Sequence, residues 1–165
     1  RLVKTKGLDS LIDAMGEVNC RLIMCGKGPE AKNLEKHVRK LGLEDKVEFR
    51  GYVSETEKDE LMRTCKLFAM PSLFESFGLA ALEVLGYGRP LVYGDVNGLP
   101  DTVGEAGIAV RPGDPKSIAE GINRLLNDDG LRSDLARCAR TQAEKYTWDR
   151  YIPLYEKVLS GKKEE

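Results

Sequence analysis

Histidine is almost missing from this chain: His37 is the single one among 165 residues. One histidine between Lys36 and Val38 on a charged helical pattern leaves no partner for a His-based metal site or a Ser-His triad. Cysteine is sparse as well, and Cys20, Cys25, Cys65 and Cys138 show no Cys-x-x-Cys spacing. Cysteines set singly in apolar patterns read as buried free thiols of a reducing compartment, not as disulfides or metal ligands. Neither sign of charge dominates, with 26 basic against 27 acidic residues. That balance removes the basic surplus that a nucleic-acid partner needs. No apolar run is long enough to span a bilayer, and no signal-peptide pattern is present. The expected location is cytoplasmic. Repeats, linkers and low-complexity tracts are also lacking, so residues 1–165 read as one domain with a sizeable core. Arg1 stands where an initiator Met would, and Leu2-Val3 reads as the end of a strand already under way. The expectation is the C-terminal half of a longer protein.

What is present is a balanced globular composition, 41% hydrophobic and 32% charged. Short apolar runs alternate with helical patterns, the sequence form of a parallel α/β sheet. Strands are expected over Arg21–Cys25, Val47–Phe49, Leu67–Met70, Pro90–Tyr93 and Gly107–Val110. Helical faces are expected at Leu8, Leu11, Ile12 and Met15, then at Ala31, Leu34, Val38 and Leu41. Ser54 and Glu57 form a capping-box pair before inward-facing Leu61, Met62 and Cys65. Asp114-Pro115 marks a further helix start, with Ile118, Ile122, Leu125 and Leu126 facing inward. Helices of about four turns follow from Leu131 and from Trp148, with Trp148, Tyr151 and Tyr155 expected to pack on the core. The tail Lys162–Glu165 is expected to fray. The layout is a Rossmann-like, doubly wound parallel sheet of about six strands with helices on both faces.

Glu75 and Glu83 carry the most information. Glu75 falls in a loop beyond the carboxyl end of a strand, and Glu83 about one and a half turns into the next helix. Ser76, Phe77 and Gly78 lie between them, with Leu79 following, where free N–H groups and the helix dipole make an anion site. Carboxylates on either side of an anion site suit a ligand with hydroxyls at both ends and phosphate in the middle. A nucleotide-sugar has that form. Gly26-Lys27-Gly28-Pro29 is a second turn that allows close backbone approach to a ligand. Extended to Ala31, it also satisfies the loose Gly-x-Gly-x-x-Ala dinucleotide pattern, with Glu48 beyond it. It is not a P-loop, because no Gly-Lys-Ser/Thr follows.

Glu75 to Glu83 resembles the E-x7-E signature of retaining glycosyltransferases of the GT-B fold, family 4. Arg1 to Gly7 resembles that family's Arg-Leu…Lys-Gly opening, and Leu22 to Pro29 its strand and Gly-x-Gly-Pro turn. Val47 to Val53 is similar to its third strand and base-side loop. Gly98 to Asp101 resembles a later loop that usually ends in Glu, and Tyr146-Thr147-Trp148-Asp149 the start of its final helix. The chain is therefore identified as the C-terminal, donor-binding half of such an enzyme.

The resemblance implies roles. Glu75 would hold donor-sugar hydroxyls for front-face transfer, and Glu83 would take the ribose hydroxyl pair. Arg1 and Lys6 would neutralise the leaving diphosphate, so that no metal or other cofactor is needed. Gly26, Gly28, Ser76, Phe77, Gly78 and Leu79 would line the donor, and Tyr52 and Val53 the base. The donor would be a nucleotide-diphospho-sugar, a UDP-sugar favoured over GDP-mannose. The acceptor site would belong to an absent N-terminal domain, so this chain alone is expected to transfer sugar poorly or not at all. Any peripheral membrane association would belong to the full-length enzyme. Asp101, one methylene shorter than the family's Glu, has no clear role. A nicotinamide-binding domain and a non-catalytic domain that kept the fold remain the alternatives.

Overall fold

The computed structural model describes residues 1–161. Apolar runs rich in Leu, Ile, Val and Phe become short strands, because a covered parallel sheet buries both faces of each one. They are β1 (Leu22–Cys25), β2 (Val47–Gly51), β3 (Phe68–Met70), β4 (Leu91–Gly94) and β5 (Gly107–Val110). The helices are α1 (Leu8–Ala14), α2 (Ala31–Leu41), α3 (Glu55–Thr64), α4 (Leu79–Gly86), α5 (Leu99–Val103), α6 (Pro115–Asn127), α7 (Asp129–Glu144) and α8 (Trp148–Leu159). β1 pairs with β2, β3 and β5 flank β4, and every pairing is parallel. These are two separate parallel sheets among the described residues, and within each the loops that leave the strands emerge along one edge.

Helices cover both sides of this α/β framework and close two apolar clusters. Leu11, Ile12 and Met15 of α1, Val38 of α2 and Ile118, Ile122 and Leu125 of α6 build one around Met24 and Val47. Val84 and Leu85 of α4, Leu99 and Val103 of the α5 turn and Ala139 of α7 build the other around Met70, Leu91 and Tyr93. Each fully buried Leu or Ile contributes about 1.5–3 kcal/mol. Caps fix where helices begin. Ser54 accepts from the N–H of Glu57 at 3.2 Å, and Asp114 from the N–H of Ser117 at 3.1 Å.

Several expectations need correction. Among the described residues there are five strands, not about six. Leu2-Val3 is extended but unpaired as a strand, because Leu2 commits its backbone to the glycine turn. Its N–H donates to Lys27 at 3.0 Å and its carbonyl accepts from Glu30 at 3.2 Å. Leu41 is exposed at the end of α2 rather than inward. Gly98–Asp101 is not an open loop, since Leu99 and Pro100 start the short helix α5. Trp148, Tyr151 and Tyr155 do not pack on the core: no residue of α8 is buried, and Trp148 is 75% exposed. The expectation for Lys162–Glu165 lies outside the described residues.

Candidate functional site

The strand-end edge collects the residues singled out above. The Gly26–Pro29 turn follows β1, Tyr52 and Val53 follow β2, and Pro71–Gly78 follows β3. The Pro71–Gly78 loop is seated by neighbours that leave no room for side chains. A Cβ on Gly7 would come within 2.3 Å of the Pro71 carbonyl oxygen, and one on Gly98 within 2.2 Å of that of Ser76. Thr5 accepts from the N–H groups of Leu73 at 2.8 Å and Phe74 at 3.3 Å. The segment before α1, which closes into a 3-10 turn over Lys4–Lys6, thus joins the glycine turn to the glutamate loop.

This junction brings Lys6 and Glu75 together, distant in sequence, as a half-buried ion pair. Gly78, at φ +87°, caps α4, and the first intrahelical bond runs from the Leu82 N–H to the Gly78 carbonyl at 3.1 Å. The N–H groups of Ser76 through Ala81 donate to no acceptor among the described residues. They are the orphan donors of the α4 N-terminus, and with the helix dipole they can take an anion. Ser76 and Leu79 are exposed beside them, and Phe77 is 39% exposed.

Glu83, the residue that the resemblance implies for the ribose, is 41% exposed on α4 and accepts from Lys58 Nζ at 2.6 Å. Lys58 also reaches Glu55 at 2.8 Å, and these carboxylates raise its pKa further above the usual lysine range, Glu55 first. Arg1 is exposed, and its backbone nitrogen lies 3.7 Å from the position of a Cβ on Gly26. The Arg1 and Lys6 side chains thus belong to the same segment, but among the described residues only Lys6 of the two has an acid partner. Tyr52 is 73% exposed, with Lys27 Nζ 5.8 Å from its ring centre. Val53 is half-buried beside it.

Some supporting residues were not foreseen. Thr102 Oγ1 donates to the Phe77 carbonyl at 2.6 Å. Gln142 bonds the carbonyls of Asp101 at 2.9 Å and Thr102 at 3.1 Å, and Tyr146 packs edge-on to Phe77 at 5.6 Å. Nothing in the sequence marks Thr102 or Gln142, because each acts across a long chain separation. Asp101 contributes its backbone carbonyl there, while its side chain is exposed. His37 pairs with Asp13 at 2.7 Å on the surface. Among the described residues no cluster of His, Cys, Asp and Glu could hold a metal ion. The four cysteines are free and half-buried. Burial pushes the thiols of Cys20, Cys25 and Cys65 up.

The family described as Glycosyl transferases group 1 matches residues 1–142. The chain belongs to the group 1 glycosyl transferases. Among the curated members of this family, an uncharacterized glycosyltransferase of Methanocaldococcus jannaschii is 36% identical over 90% of this chain and 40% of its own length. The alpha-D-kanosaminyltransferase of Streptomyces kanamyceticus is 33% identical over 89% of this chain, again 40% of its own length. The group 1 chain described here thus spans about two fifths of these relatives. Among solved structures, Anabaena HepE in complex with UDP superposes with a TM-score of 0.87 at 28% identity, covering 97% of this chain and 47% of that one. Sucrose-phosphate synthase of Thermosynechococcus elongatus gives 0.87 at 26%, covering 98% and 44%. The architecture of this group 1 chain is that of the C-terminal Rossmann-like domain of a GT-B glycosyltransferase.

Proposed function

We propose that this chain is the donor-binding domain of a retaining family 4 glycosyltransferase that takes a nucleotide-diphospho-sugar, a UDP-sugar before GDP-mannose. The observation that carries the reading is the α4 N-terminus, with unpaired N–H groups between the Lys6–Glu75 pair and Glu83. Anabaena HepE, solved with UDP and with UDP-glucose, supports the choice of donor.

A carboxylate and an ammonium in contact match the junction of hexose and phosphate, where a hydroxyl-rich ring meets a dianionic group. Glu75 accepts from sugar hydroxyls and fixes the ring. Lys6, Arg1 and the helix N–H groups bind the diphosphate. As the bond from the anomeric carbon to the phosphate oxygen breaks, its electron pair leaves with the diphosphate. The same donors stabilise that charge, an effect worth several kcal/mol in preorganised sites. The acceptor oxygen bonds the anomeric carbon on the face the phosphate leaves, so the configuration is kept. Cationic side chains and a helix terminus stand in for a divalent ion, and the cytoplasm supplies such donors. The acceptor site lies in an N-terminal partner domain of the same protein, and the exposed apolar side chains of α8 suit contact with it.

Thermal unfolding with UDP, GDP and NAD tests the reading. Ligand at a hundred times Kd adds about 2.7 kcal/mol, roughly 5–10 °C for a domain of this size. UDP is expected to give that shift and NAD none. A shift with NAD alone selects a nicotinamide site and overturns the proposal. Efficient sugar transfer by residues 1–165 alone would refute the need for a second domain.

A further inference from the structure

Lys58 is a residue to which neither the sequence motifs nor the proposed mechanism gives a part. It lies on α3, one turn after the base-side loop at Tyr52 and Val53, and reaches across to Glu83 on α4. That reach is set by contacts around it. Tyr87 Oη donates to Asp59 at 2.9 Å, Arg89 Nε donates to the Met62 carbonyl at 3.0 Å, and Arg63 lies over the Tyr87 ring at 5.6 Å. These contacts pin α3 to the C-terminal end of α4. On Glu83, Lys58 Nζ meets Oε1 at 2.6 Å, while its other short partner is Oε2 of Glu55 at 2.8 Å. A carboxylate offers about four lone-pair sites on its oxygens, so Oε2 and one lone pair of Oε1 stay open to hydroxyls.

We propose that Lys58 is a positioning residue for the nucleoside: it holds the Glu83 carboxylate in the orientation that accepts the ribose hydroxyl pair. The proposal rests on the reading of Glu83 as the ribose contact. An untethered glutamate side chain samples several rotamers and loses that freedom when it binds. A tethered one has lost it beforehand, and the ligand binds tighter for it. A merely structural ion pair would act on stability instead, and an exposed pair acts there weakly.

The test is calorimetric titration of the full chain with UDP and with uridine, which has the ribose but no phosphate. Lys58→Met is expected to weaken both ligands about three- to tenfold, while the melting temperature stays unchanged. Lys58→Arg restores the affinity. In a Glu83→Gln background, Lys58→Met adds nothing, because its effect passes through that carboxylate. Unchanged or tighter binding by Lys58→Met overturns the proposal. So does a loss for UDP with none for uridine, which marks a long-range charge effect on phosphate. Glu83→Gln without effect on uridine overturns the ribose assignment itself, an outcome distinct from failure at Lys58 alone.

Discussion

A Cβ built on Gly28 would stand 2.0 Å from the Leu2 carbonyl oxygen and 2.7 Å from the Leu2 nitrogen. Backbone cannot swing aside as a flexible side chain can, so Gly28→Ala must push the Arg1–Lys6 segment off the glycine turn. The expected loss is about 1–3 kcal/mol, typical of overpacking, read from urea unfolding. Ser72 is the opposite case. Its side chain is fully buried, and its Oγ has no hydrogen-bond partner among the described residues. Leaving a buried hydroxyl unpaired costs about 1–3 kcal/mol. Ser72→Ala is therefore expected to hold or raise the urea midpoint, and a clear drop would mean that the hydroxyl has a use. A glycine turn at position 28 was legible in the sequence. The contact with Leu2 was not, because it joins segments far apart in sequence.

At the scale of elements, α4 links burial to the site. Ala81, Val84 and Leu85 are fully buried, and they anchor α4 behind the Pro71–Gly78 loop that leads into its N-terminus. Leu85→Ala is expected to cost about 2–5 kcal/mol and to loosen nucleotide binding through the helix, with both seen in a thermal melt with and without UDP. Helix α6 shows how a cap titrates. The Ser117 N–H, first of several causes, holds the Asp114 carboxyl below the usual carboxylate range. Its pKa is lower folded than unfolded. The stabilisation is therefore whole above the unfolded value and fades as pH falls through the folded one. Stability measured against pH should drop on the acid side, and Asp114→Ala should flatten that drop. Both caps were legible because a cap is a local pattern of three or four residues. The exposure of α8 was not: an amphipathic stripe fixes which face is apolar and says nothing of what covers it.

For the whole molecule, the family match stops at residue 142, before α8, and no α8 residue is buried. Removing residues from Trp148 onward is expected to cost no more than about 1 kcal/mol, roughly 2–4 °C, by calorimetry. The fold class and strand-end edge could be read from alternating periods and turn residues. Glu75, Glu83 and Lys6 could be singled out as candidates by motif, but not the pairing of Glu83 with Lys58, which depends on how α3 sits against α4. The segment from Leu2 to Gly7 has one more consequence. Its ties to Lys27, Glu30, Leu73 and Phe74 all run through peptide groups, and the side chains of Lys4 and Thr5 point to solvent. Positions 4 and 5 are therefore free to change side chain over evolutionary time, but the length of the segment is not, since Leu2 is buried, Lys6 pairs with Glu75 and Gly7 has no room for a Cβ. Thr5→Ala should pass unnoticed, whereas deleting Thr5 would slip the peptide groups by one place and carry Lys6 away from Glu75.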